Sequence, residues 1–238
     1  MAVRHPWWLA AAVGGIAGGV LGYAIGAPHA QLIGRTVWHG PRSRKQVALT
    51  FDNGPSPQGT EVILDILRHE HVRATFFLLG AAAERYPDLA RAIAQEGHTI
   101  GNHGFAHRSL SWLGPEATAR EIDRGFHAIA TVCDVAPTLF RPPYGMRNLF
   151  LPRLLERRGW QMVHWSRSAG DWRQHGARRL DAWVHRVRGG DILLWHDGTR
   201  YNRIYPRTVT AAALSQVIPY LRSKGFEFVT VDRFVDLS

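Results

Sequence analysis

Between Gln46 and Val231 the chain alternates short apolar runs with segments of helical periodicity, and this alternation restricts it to architectures built from parallel strands. Strands are predicted over Gln46 to Phe51, Val72 to Leu79, His98 to Asn102, Thr138 to Arg141, Trp160 to Trp165, Asp191 to Trp195 and Phe226 to Val231. Helices are predicted between them, over Pro57 to His69, Ala82 to Gln95, Pro115 to Val132, Asn148 to Arg158, Leu180 to Arg188 and Thr208 to Ser223. Val62, Ile63, Ile66 and Leu67 show the helical spacing in the first of these. Gly97 and Gly159 stand where helices stop, and Pro115 with Glu116 stand where one starts. The expected fold class is α/β, a parallel sheet or barrel, with polar residues gathered at the C-terminal ends of the strands. That is the end where barrels of this kind carry their active sites.

The N-terminus reads differently. Trp7 to Ala27 is uncharged and long enough to cross a bilayer as one helix, with Trp7 and Trp8 placed like an interfacial belt. Ala24-Ile25-Gly26 also resembles a signal-peptide cleavage site, so residues 1–28 are either a signal peptide or a membrane anchor. Gly14, Gly18 and Gly22 have the spacing of a close-packing helix face, or are simply glycines of a weakly hydrophobic export signal. Arg35, Arg42, Arg44 and Lys45 follow this stretch while Arg4 precedes it, a charge bias that opposes export of the body. Residues 29–45, punctuated by Gly34, Gly40 and Pro41, are expected as a linker, and residues 46–238 as one domain.

Composition narrows the partners. A net charge of +10 arises from 29 basic residues, only two of them lysine, against 19 acidic ones. It favours anionic polymers or lipid headgroups, or else reflects a general preference for Arg. No basic run interleaved with aromatics marks a nucleic-acid face. The single Cys133 excludes an internal disulfide and any Cys-rich zinc module. Oligomeric state leaves no mark in the sequence.

Five short segments carry the candidate chemistry. Asp52 ends the first strand beside a Gly-Pro turn; it is placed for a general base toward water, or is a turn-capping carboxylate. His103 and His107 are four apart, a spacing that suits a divalent metal, although two histidines fall short of the three ligands usual for catalytic zinc. Arg141 precedes two prolines that stiffen its backbone; it can hold a carboxylate by two parallel hydrogen bonds, or be a strand-end surface residue. His196 ends the buried run Ile192 to Trp195, as a proton donor to a leaving amine or as a core histidine. Asp171 is the candidate to set its protonation state, and Trp172 offers a face for a sugar ring or packs in the core. Together these are the groups needed for water attack on an acyl carbon.

With those residues in place, the chain resembles the NodB-homology polysaccharide deacetylases, carbohydrate esterase family 4, from about Gln46 to Phe234. The family's motifs T-F-D-D-G-P, H-[ST]-x-x-H, R-x-P-[YF], D-x-x-D-W and L-x-H correspond here to TFDNGP, HGFAH, RPPY, SAGDW and LWH. The resemblance implies a distorted (β/α) barrel with seven parallel strands. It implies Asp52 as catalytic base, His196 as general acid, Arg141 as the residue that keeps Asp52 ionised, and Asp171 as the partner of His196. It further implies metal binding by His103 and His107, an oxyanion contact from the Tyr144 amide, and an acetyl pocket lined by Leu194 and Trp172. Two positions depart from the pattern. Asn53 replaces the aspartate that is the third metal ligand, which lowers the expected affinity for a divalent metal such as zinc and leaves the need for one open. Ser168 replaces the first aspartate of the fourth motif. Relatives with Asn at the first of these positions include deacetylases of muramic-acid residues, which points to peptidoglycan as the acetylated amino-sugar polymer and to an extracytoplasmic, membrane-anchored or secreted bacterial protein. The sequence also admits two rivals: an amidohydrolase acting on a small amide with weak or no metal, and an inactive carbohydrate binder tethered to the membrane through residues 7–27.

Overall fold

The computed structural model of the chain describes residues 18–171, 183–198 and 208–235. Its strands are β1 (Gln46–Asp52), β2 (Thr75–Leu78), β3 (Thr99–Asn102), β4 (Leu139–Phe140), β5 (Gln161–Met162), β6 (Arg167–Ser168), β7 (Ile192–His196) and β8 (Glu227–Phe228). Seven of them follow one path, β5-β4-β3-β2-β1-β7-β6, and β8 pairs with the start of β1. Every one of these pairings is parallel. The expected parallel-strand distorted barrel is therefore present, as a half-barrel. Among the described residues it carries one strand more than the seven read from the sequence. β6 escapes a reading by apolar runs because it is two residues long and contains only Arg167 and Ser168.

The alternation of β1 shows how the sheet is buried on both faces. Val47, Leu49 and Phe51 pack outward with Ile63, Leu64 and Leu67 of helix α2 (Thr60–His69) and with Leu214, Val217 and Ile218 of helix α7 (Thr208–Ser223). Ala48 turns inward and joins Phe77, Leu139, Val163, Ile192 and Phe234. Thr50 and Asp52 share that inward parity, so the polar end of the strand opens into the barrel.

Further helices among the described residues include α1 (18–26), α3 (Gly80–Arg85), α4 (Pro87–Gln95), α5 (Pro115–Cys133), α6 (Leu151–Glu156) and α8 (Asp232–Val235). The single helix expected over Ala82 to Gln95 is two helices. Pro87 has no amide hydrogen and drives the preceding residue from the helical region, and Tyr86 sits at φ −129°, ψ 62°. Gly80 lets α3 lie against α5, since a Cβ there would come within 2.9 Å of the Gly125 Cα. The helix expected from Asn148 starts later because the Asn148 side-chain carbonyl accepts the amides of Phe150 and Leu151, at 3.1 and 2.9 Å. Of the helix expected over Leu180 to Arg188, residues 180–182 lie outside the described residues.

The stretch 29–45 packs along the body rather than extending from it. Ala30 and Val37 are buried, Val37 bridges to Val163, and His39 bridges to Asp191. Asp191 is buried and gathers Arg42, Arg167, the Ser166 hydroxyl and the Arg188 amide. Burial alone would raise its pKa, and these four donors outweigh it and hold the pKa below the usual value. No helix among the described residues is long and apolar enough to cross a membrane, and residues 7–17 of the uncharged stretch lie outside them.

Candidate active site

The candidate residues stand at the C-terminal ends of adjacent strands. Asp52 of β1 lies directly beside His196 of β7 in the ladder register. His103 follows β3 and Arg141 follows β4, with Asn102 paired to Phe140 and the Arg141 amide donating to the Asn102 carbonyl. Asp171 lies beyond β6. Two strands separate β1 from β4, a span of about 14 Å in a flat sheet. Even so, the Arg141 Nη1 donates to Asp52 Oδ1 at 2.7 Å and to the Thr50 hydroxyl at 2.8 Å. Its Nη2 donates to the His164 carbonyl at 2.9 Å. The curl of the sheet makes this possible, and the guanidinium crosses the barrel interior over the Phe77 ring, 4.0 Å from its centroid.

Arg141 has no exposed surface, and its charge is compensated by Asp52. Burial lowers its pKa and Asp52 opposes the shift, so it remains a cation, as Arg does throughout proteins. The His103 Nδ1 donates to the Arg141 carbonyl at 2.7 Å, which leaves Nε2 as the acceptor nitrogen, 3.7 Å from Asp52 Oδ2. Burial pushes the His103 pKa down, and the neighbouring Asp52 charge only partly restores it. The contact is therefore one between a neutral imidazole and a carboxylate rather than an ion pair.

His196 is held by a single carboxylate. Its Nδ1 lies 2.9 Å from Asp171 Oδ1, and its backbone amide donates to Asp171 Oδ2 at the same distance. The Thr210 hydroxyl also donates to Asp171 Oδ2, at 2.8 Å. The contact with Asp171 fixes the ring's orientation through Nδ1. The two proton-handling candidates thus sit side by side, each oriented by its own partner. Leu194 shares the inward parity of His196, is buried, and pairs with Thr50. Trp172 lies outside the described residues.

The loop after β3 is shaped by side chains with no mark in the sequence motifs. Asn102 Oδ1 accepts the Gly104 amide, and Glu121 of α5 accepts the amides of Phe105 and Ala106 at 3.1 and 2.6 Å. This turns His107, at φ 56°, back toward His103, with ring centroids 5.1 Å apart. The Tyr144 ring meets His107 edge-on at 4.5 Å and is 40% exposed, at the mouth of the site. The turn after β1 is fixed by Asp197. A Cβ on Gly54 would overlap the Asp197 carboxylate, which also accepts the Thr60 hydroxyl at 2.7 Å. Asp197 directly follows His196 and could have been noticed. Thr50, two residues before Asp52 on the same strand face, was also visible. Glu121, Asn102, His164 and Thr210 could not be found without the fold.

Among the described residues no group of three His, Cys, Asp or Glu could hold a metal ion. The donor set available is two imidazoles and an amide. Asn53, at φ 78° beside Asp52, has a buried Oδ1 with no hydrogen-bond partner. A buried acceptor without a donor is costly, and a cation would satisfy it. His103, His107 and Asn53 therefore fit a divalent metal, with a neutral oxygen where a carboxylate would bind more tightly.

A family model described as polysaccharide deacetylase matches residues 39–163. A peptidoglycan-N-acetylglucosamine deacetylase of Bacillus cereus is 35% identical over 205 residues, covering 85% of this chain and 93% of its own length. A chitooligosaccharide deacetylase of Rhizobium leguminosarum bv. trifolii is 37% identical over 189 residues, covering 76% and 88%. The crystal structure of the Bc1960 peptidoglycan N-acetylglucosamine deacetylase superposes with a TM-score of 0.77 at 32% identity, covering 84% of this chain and 92% of that one. A strand-end site in a parallel half-barrel, a matching family model and relatives aligned over most of their length agree: the chain belongs to the polysaccharide deacetylases, the NodB-homology hydrolases of carbohydrate esterase family 4.

Proposed function

We propose that this enzyme removes N-acetyl groups from an amino-sugar polymer of the bacterial cell wall, with peptidoglycan as the substrate. The observation that carries the reading is the register of Asp52 beside His196, each held by a separate buried partner. A pocket that merely binds sugar needs no such matched pair. Peptidoglycan is supported by the relatives named for it.

Asp52 presents Oδ2 to a water, because Oδ1 is occupied by Arg141. It takes the water's proton as the oxygen attacks the acetamide carbon. The Tyr144 amide donates to the oxygen on which negative charge develops. His196 Nε2 delivers a proton to the sugar nitrogen as the carbon–nitrogen bond breaks, and Asp171 stabilises the cationic ring before transfer. Acetate and the free amine leave. Leu194 lines the space for the acetyl methyl. When bound by His103, His107 and Asn53, a divalent metal such as zinc supplies Lewis acidity to the acetamide carbonyl and the water.

Acetate release from peptidoglycan, chitin oligomers and xylan, with and without added divalent metal, tests the proposal. Release from peptidoglycan, abolished in Asp52→Asn, is expected. Undiminished turnover in metal-stripped protein on a small amide would favour the metal-weak amidohydrolase. No acetate from any polymer would favour the tethered binder.

A further inference from the structure

Two buried side chains outside the five motifs converge on the turn that presents the Tyr144 amide. This turn, Pro143–Gly145, places two successive residues in the left-handed region, Tyr144 at φ 62° and Gly145 at φ 67°. A non-glycine residue there is strained and persists only where its surroundings enforce it. Within the turn, Gly145 donates to the Pro142 carbonyl at 2.9 Å and Met146 to the Pro143 carbonyl at 3.1 Å. The outer restraints come from elsewhere in the chain.

His164 has no exposed surface, and its Nε2 lies 3.1 Å from the Gly145 carbonyl. That carbonyl can only accept, so Nε2 carries the proton. Nδ1 is then an acceptor, and the Thr36 hydroxyl meets it at 2.7 Å. Burial pushes the His164 pKa down to about 3, so the ring stays neutral and keeps one donor and one acceptor. Arg147, also fully buried, donates from its backbone amide to Ile25, from Nη1 to Ala30 at 2.9 Å and from Nη2 to Ala27. All the partners on the far side, Ile25, Ala27, Ala30 and Thr36, precede the residues matched by the family model.

We infer that residues 25–36 form a built-in brace for the Pro143–Gly145 turn, with His164 and Arg147 as positioning residues that hold the Tyr144 amide where the oxyanion forms. This rests on the oxyanion role given to Tyr144 above. His164 fixes the turn's last carbonyl, and Arg147 fixes the chain two residues beyond it. Neither touches the reacting atoms.

The test uses the full chain. His164→Phe keeps a ring of similar size and removes both hydrogen bonds; Thr36→Val is the milder variant should the first fail to fold. Amide hydrogen exchange at Tyr144 to Met146 is measured alongside steady-state acetate release. Both variants are expected to speed exchange at these amides and lower kcat about tenfold or more, with KM within about twofold, because a displaced oxyanion donor weakens transition-state binding alone. Thr36→Ser should restore both readouts. Unchanged exchange in the two disruptive variants would overturn the brace. Faster exchange with wild-type kcat would overturn the catalytic role of the turn and place the failure in the assignment of Tyr144.

Discussion

Removing the guanidinium of Arg141 should be the most damaging single change to the site's interior. Arg141 has no exposed surface, and the Asp52 side chain is 5% exposed. In Arg141→Met the Asp52 carboxylate is left in the barrel without a compensating charge, which costs about 3–5 kcal/mol. The His164 carbonyl loses its donor as well, adding about 1 kcal/mol. The sum, about 4–6 kcal/mol, is a large part of the 5–15 kcal/mol roughly typical of a whole domain. Urea unfolding at pH 7 should show a much lower midpoint with a similar slope. If the penalty is that of a stranded charge, adding Asp52→Asn should recover about 2–4 kcal/mol of it. A loss below about 1 kcal/mol in the single variant, or a double variant no more stable than the single, would refute the argument that this pair is buried and mutually dependent.

Two further predictions concern pH and metal. His164 and His98 are held neutral by burial, with pKa values lowered to about 3 and about 4 from 6.5. The unfolded chain therefore binds more protons between those values and 6.5, so the stability tied to these rings is complete above about pH 6.5 and is lost as pH falls toward the folded values. Each ring should contribute on the order of 3 kcal/mol to that loss. Unfolding free energies at pH 7 and pH 5 should show less decline in His98→Gln than in the wild type, and parallel declines would contradict the assignment. For the metal, Asn53→Asp replaces the neutral oxygen of the proposed donor set with a charged one and should tighten zinc binding by calorimetry. Unchanged affinity would remove Asn53 from the donor set.

The sequence was most legible where chemistry and strand periodicity coincide. Asp52 and His196 end apolar runs, and their placement at strand ends could be read before any coordinates. Their adjacency could not, because it depends on β7 inserting next to β1 rather than following the order of the chain. Arg141 was legible as a fixed cation, yet its partner depends on the curl of the sheet across β2 and β3. β6 was invisible because two polar residues carry no periodicity. Pro87 divides the helix over Ala82 to Gln95, because its missing amide outweighs the continuous apolar pattern. The stretch 29–45 was misleading because Gly and Pro also occur where a chain is packed tightly, as at Gly40 against Phe234. Glu121, Thr210 and His164 support the site through contacts 15 or more residues away in sequence, and no short motif records them.

The central claim is that Asp52 acts as base and His196 as acid on one substrate, and leaving-group dependence tests it most directly. An amine must be protonated to depart, whereas a nitrophenolate leaves without help. His196→Ala should therefore slow amide deacetylation by about 10²–10⁴-fold while slowing hydrolysis of p-nitrophenyl acetate far less. Asp52→Asn should suppress both, because both need an activated water. Equal losses on the amide and the ester in His196→Ala, or ester hydrolysis that survives Asp52→Asn at the wild-type rate, would contradict the account.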